Sequence, residues 1–77
     1  MPTVITIDGF RFFFYSNENN EPPHVHVEKA DGTAKIWLSP VRVEYMIGFT
    51  PRQQKAILAH CNENLELFKE KWNEYFK

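Results

Sequence analysis

His24-Val25-His26-Val27-Glu28-Lys29-Ala30-Asp31-Gly32-Thr33-Ala34-Lys35-Ile36-Trp37-Leu38 is the stretch that decides the fold. Apolar and polar residues alternate on both sides of Asp31-Gly32, and a period of two marks a half-buried strand. Asp-Gly between two such runs closes a tight hairpin, because Gly takes a positive φ without steric cost. A two-residue loop there pairs Ala30 with Thr33, which sets Val27 opposite Ile36 and Val25 opposite Leu38 on one apolar face. The other face then pairs Glu28 with Lys35, His26 with Trp37 and His24 with Ser39.

The pattern continues outward from this hairpin. Residues 3–7, Thr-Val-Ile-Thr-Ile, are β-branched throughout and read as a strand. Asp8-Gly9 is a second tight turn, and residues 10–15 return as an aromatic strand. Phe10, Phe12 and Phe14 share one face of it, and Arg11, Phe13 and Tyr15 share the other. The polar stretch 16–23 ends in Pro22-Pro23 and reads as an exposed connection. On the far side Ser39-Pro40 interrupts the fourth strand, since Pro cannot donate to a ladder. Val41, Val43, Tyr45 and Ile47 alternate again as a fifth strand that ends near Gly48.

Thr50-Pro51-Arg52-Gln53 then opens a helix, with Thr50 as N-cap, Pro51 at the first helical position and Gln53 completing a capping box. Leu58, Cys61, Leu65, Phe68, Trp72 and Tyr75 follow at spacings of three and four, one apolar stripe on one helix. About 26 helical residues would span roughly 39 Å, against about 17–20 Å for strands of ordinary length. Either the helix breaks near Asn62–Asn64, or its aromatic end overhangs the sheet and Phe68, Trp72, Tyr75 and Phe76 need another surface, such as a second copy of the chain.

The expected fold is therefore α+β: a small antiparallel sheet of four or five strands packed on one long C-terminal amphipathic helix. The 77 residues give one domain, with 1–49 as sheet and 50–77 as helix. A chain this short buries only about 60% of its unfolded surface, so its seven Phe, three Tyr and two Trp have to supply much of the core. A homodimer would add burial.

Nine basic and ten acidic residues leave a formal charge of −1, with no basic arm and no acidic tail. That balance does not support a non-specific nucleic-acid footprint, which needs clustered Lys and Arg. The lone Cys61 fits a reducing compartment. The start of the chain has no signal-peptide pattern and no apolar run is long enough to span a membrane, so cytoplasm is expected. Cys61 on the apolar stripe reads as a small buried hydrophobe, and His60 beside it has no sequence-local partner. There is no Gly-rich phosphate loop and no Cys cluster, so no cofactor is expected.

One constellation could carry chemistry. His24, His26, Glu28, Lys35 and Trp37 are expected together on the polar face of the hairpin, as a binding surface. His24 and His26 at i and i+2 point the same way and could ligate a metal, but Glu28 lies roughly 13 Å from His24 along the strand, and no third ligand is evident. The two imidazoles could instead act as general acid and base on a phosphodiester held by Lys35 or Arg11. In the third reading His26 stacks on Trp37, Glu28 pairs with Lys35, Pro22-Pro23 starts the strand, and the face is simply solvated.

Met1-Pro2-Thr3, the run Pro22-Pro23-His24-Val25-His26-Val27 and a Leu-rich helix ending around Trp72 resemble the domain of unknown function family 4160 over nearly the whole chain. The family's Pro-Pro-His-x-His signature corresponds here to Pro22, Pro23, His24 and His26. The tract from Trp37 to Tyr45 departs from the commoner members. The resemblance implies a small bacterial protein, often encoded beside a member of the domain of unknown function family 2442 in a toxin–antitoxin-like arrangement. It implies no catalytic residue. The expected function is a cytoplasmic protein-interaction module whose partner is a protein from a neighbouring gene. The alternative is a small hydrolase acting on RNA through His24 and His26.

Overall fold

Asp8 (φ 52°) and Gly9 (φ 81°) both lie in the left-handed region, and two such residues in succession make the type I′ turn whose twist suits a hairpin. Strand β1 (Thr3–Ile7) therefore returns at once as β2 (Phe10–Phe13), with Ile7 opposite Phe10. The structure is a computed structural model and describes residues 3–15 and 20–76. Met1 and Pro2 lie outside these, as does the 16–19 part of the expected exposed connection. Three further strands follow: β3 (His24–Lys29), β4 (Gly32–Leu38) and β5 (Val41–Ile47). All five form one antiparallel meander in the order β1-β2-β3-β4-β5.

The central hairpin is real, but its register differs from the one read off Asp31-Gly32. Lys29 pairs with Gly32, His26 with Lys35 and His24 with Trp37, so the turn is Ala30-Asp31. Ala30 supplies the positive φ, at 52°. Gly32 serves another purpose. A Cβ there would stand 2.3 Å from Phe49 Cε1, so Gly32 is bare to let the Phe49 ring lie against the strand. The slip moves every partner by two residues, and because side chains alternate with period two, each residue keeps its expected face.

The single long helix of the sequence reading is corrected to two, α1 (Pro51–Glu63) and α2 (Leu65–Tyr75). The start is as expected. Thr50 Oγ1 accepts from Gln53 N at 3.2 Å, and Thr50 N donates to Gln53 Oε1 at 2.9 Å. The break falls on Asn64, whose side-chain amide donates to the His60 carbonyl at 2.9 Å, while Asn62 donates to that of Leu58 at 3.0 Å. Asn side chains that bond helix carbonyls compete with the helix itself. Two shorter helices of roughly 20 and 17 Å match the strand length that one of 39 Å could not.

Both helices lie on the face that carries Phe10, Phe12, Phe14, Val25, Val27, Ala34, Ile36 and Leu38, all buried with Phe49, Ile57, Cys61, Phe68 and Trp72 in one core. Phe68 stacks on Phe12 at 5.2 Å between ring centroids, and Trp72 meets Phe14 edge-on at 5.2 Å. The aromatic end of the chain thus covers its own sheet, and the overhang does not arise. The buried stripe differs from the expected one at both ends, with Ile57 taking the place expected of Leu58, which is only partly buried. Ile57 is fully buried, and Tyr75 is 46% exposed. His60 gains long-range partners, with Nε2 3.0 Å from Asp8 Oδ2 in the first turn and its ring against Phe10 and Phe12. No helix among the described residues is long and apolar enough to cross a membrane.

Burial pushes the Cys61 thiol up to about 12 from its ordinary 9.0. A thiol whose folded value is raised favours the fold as long as it stays neutral. That contribution is fully present below pH 9 and is lost as pH climbs from about 9 to about 12. In native protein at pH 8, Cys61 is expected to resist a disulfide-exchange reagent and to react once urea unfolds the chain. Rapid labelling of the folded protein would contradict this packing.

Candidate functional site

His24 and His26 leave β3 on the face away from the helices, yet neither is presented to solvent. His24 is 0% exposed and His26 5%. The expected surface pair is therefore corrected to an interior one, and the cause is aromatic packing. His26 stacks on Phe13 at 5.5 Å with 27° between planes, and Tyr15 closes over it at 4.6 Å. His24 stands 5.1 Å from His26 and 5.3 Å from Trp37. Strand β2 ends at Phe13, opposite His26, so β2 does not extend to flank His24. Trp72 of α2 closes there, at 4.9 Å. Two imidazoles thus fill the joint between the open face of the sheet and the end of α2.

Pro22 and Pro23 prepare this joint. The residue before a proline is held extended, which suits a segment about to enter a strand. The Pro22 carbonyl lies 3.0 Å from His24 Nδ1, and the Pro23 carbonyl accepts from Leu38 N at 3.1 Å, extending the β3–β4 ladder by one residue. Pro23 needs only its acceptor at that position. The Pro-Pro-His-Val-His run thus has a structural account: two carbonyls in use, two rings in the aromatic joint, and Val25 in the core.

The charges of the face are paired differently from expectation. Glu28 does not meet Lys35. It stands opposite Arg11 on β2, with Arg11 Nη1 3.1 Å from Glu28 Oε1. Lys35 reaches Glu21 at 2.8 Å and lies 4.7 Å from the Trp37 ring. Trp37 donates its indole N–H to Glu44 Oε1 at 2.9 Å, while His24, in place of His26, packs against it. The guanidinium of Arg11 also caps Phe13 at 4.3 Å. Arg11 and Lys35, the residues considered for holding a phosphate, are both already engaged with carboxylates.

For a metal, His24 and His26 would need a third ligand. Among the described residues no group of three or more His, Cys, Asp or Glu stands together in a way that could hold an ion. For acid–base chemistry on a polymer, an imidazole has to reach the substrate, and the burial of both rings works against that.

Toward β5 the open face is accessible. Arg42 stands opposite Trp37, Tyr45 opposite Lys35 and Ile47 opposite Thr33, with Ile47 61% exposed. A shallow cavity of about 130 Å³ opens beside them, lined by Pro22, Pro23, Trp37, Ser39, Pro40 and Arg42. Of the expected surface, Trp37 alone borders this cavity. Phe13 and Tyr15 were placed on the right face by alternation, but the sequence offered no sign that they would enclose His26. Nor did it offer a sign that Trp72 would reach His24 from the other layer.

An antiparallel meander with helices on one side and a histidine-centred aromatic joint defines a type of small α+β protein with one open sheet face. The chain belongs to the domain of unknown function family DUF4160, whose model matches residues 9–73 of the 77. No curated protein and no solved structure matches it.

Proposed function

We propose that this chain is a protein-interaction module that contacts its partner through the β5 side of the open sheet face. The observation that carries the reading is that the helices cover one face only, while the other leaves Ile47 of β5 61% exposed. Apolar and aromatic groups rimmed by polar ones are what a partner's surface desolvates. The ion pairs of that face, Arg11 with Glu28 and Lys35 with Glu21, are neutral as pairs, which suits a protein better than a polyanion. A cytoplasmic setting accords with the unpaired Cys61. The first partner to test is the product of the adjacent gene, in keeping with a two-gene, toxin–antitoxin-like arrangement.

The test is native mass spectrometry of the two proteins co-expressed, with and without Ile47→Lys. A complex is expected with the wild-type chain, weakened at least tenfold by Ile47→Lys. Because Ile47 is largely exposed, the substitution should leave unfolding stability within about 0.5 kcal/mol. A complex indifferent to Ile47→Lys would contradict the surface assigned here, and the absence of any complex would contradict the partner.

A further inference from the structure

Strand β5 is the last of the sheet, flanked by β4 on one side and by no strand on the other among the described residues. An open edge of this kind offers unpaired N–H and C=O groups to another strand. Their direction follows from the ladder. Leu38 N bonds toward β3, so by alternation Trp37 bonds toward β5. Arg42, opposite Trp37, turns back to β4, and Val41 and Val43 direct their backbone groups outward.

The side chains along this edge are complementary to themselves. Arg42 has no carboxylate within ion-pair distance among the described residues, and its nearest ring is Trp37 at 5.7 Å. Two residues on, Glu44 stands on the same face, held by the Trp37 indole at 2.9 Å. Val43 between them is 38% exposed on the helix side. We propose that two copies of this chain pair β5 against β5, antiparallel, about a two-fold axis through Val43. In that register Val43 meets Val43, and Arg42 of each copy faces Glu44 of the other. An axis through Arg42 or Glu44 would set like charges opposite each other, which destabilises a pair of strands, and would centre on Arg42, whose backbone is already bonded to β4, or on the bulge residue Glu44.

The device also limits itself. Lys35 pairs with Tyr45 while its neighbour Ile36 pairs with Val43, leaving Glu44 as the extra residue of a bulge that ends the outward ladder. The far edge, β1, carries its own register break between Thr3 and Ile5. A two-fold contact uses the same patch on both copies and closes, so the product is a dimer and not a fibre. Its two open faces lie side by side on one continuous sheet. This inference does not depend on the partner proposed above, since the dimer forms from the chain alone.

The experiment is sedimentation equilibrium of the full chain from about 1 µM to 1 mM, a range that spans weak to moderate affinities, with Arg42→Glu, Glu44→Arg and the double exchange. The wild type should dimerise, each single variant should weaken the dimer at least tenfold, and the double exchange should restore it. Both residues are exposed, and circular dichroism should report an unchanged fold. A wild type that stays monomeric throughout overturns the proposal. So does a dimer that neither exchange disturbs, or one that the double exchange fails to restore. None of these results bears on the complex tested by Ile47→Lys.

Discussion

Replacing Trp72 with alanine is expected to lower the unfolding free energy by about 3–5 kcal/mol, the range for removing a buried Trp or Phe ring. Trp72 is 5% exposed and touches Phe14 at 5.2 Å, Phe76 at 4.2 Å and His24 at 4.9 Å. It therefore joins α2, the core face and the start of β3 at one point. Natural stability scales at roughly 0.05–0.15 kcal/mol per residue, so the loss would consume much of what a chain this small has. Urea unfolding followed by circular dichroism reads the effect. Trp72→Phe, which keeps a ring, should recover more than half of it. A cost below about 1 kcal/mol for the alanine variant would mean that α2 does not dock on this end of the sheet.

Gly32→Ala is expected to cost roughly 3 kcal/mol, at the upper end of what overpacking by a methyl group produces. The backbone at Gly32 is ordinary strand, without a positive φ, so conformational strain is not the cause. The cause is the Phe49 ring, whose Cε1, Cδ1 and Cζ would lie 2.3, 2.6 and 2.7 Å from the new Cβ. That assignment makes a second expectation. In the Phe49→Leu background, Gly32→Ala should cost clearly less, because the two residues share one space and their effects cannot be additive. Equal costs in both backgrounds would point to a backbone requirement and would return Gly32 to the turn that the Asp-Gly pair suggested.

Those two residues also show how far the sequence could be read. Asp8-Gly9 was legible because both residues take the positive φ that the turn requires. Asp31-Gly32 was not, because a glycine can be kept for positive φ or for missing bulk, and only the position of Phe49, seventeen residues on, distinguishes the two. The faces survived the wrong register because a slip of two residues preserves alternation. The helix start was readable from Thr50 to Gln53, whose capping box is local. Its interruption at Asn64 rests on where two amide side chains turn, and length alone could only offer it as one of two solutions.

The shared face of the candidate residues was legible, and the exposure of the two histidines was misread. Alternation put His24, His26, Glu28, Lys35 and Trp37 on one face, where they are. It could not tell that Phe13 of β2, Tyr15 just beyond it and Trp72 of α2 would enclose the imidazoles, since those contacts cross 11 to 48 positions of chain. Nor could it tell that Glu28 would bond Arg11 and leave Lys35 to Glu21. Polar residues on a strand's outer face are ordinarily solvated. Here the aromatic content of the neighbouring segments buries two of them.

The central proposal is that His24 and His26 support the open face from inside, as packed rings. The most direct measurement is complex formation by His26→Phe, a ring of similar shape without nitrogen, with the adjacent-gene product in native mass spectrometry. The packing role requires a folded variant that binds within about threefold of wild type, since stacking on Phe13 and Tyr15 needs only a ring. A variant that folds with wild-type stability yet loses the complex, or loses any activity the complex displays, would contradict it and return the imidazole to the functional site.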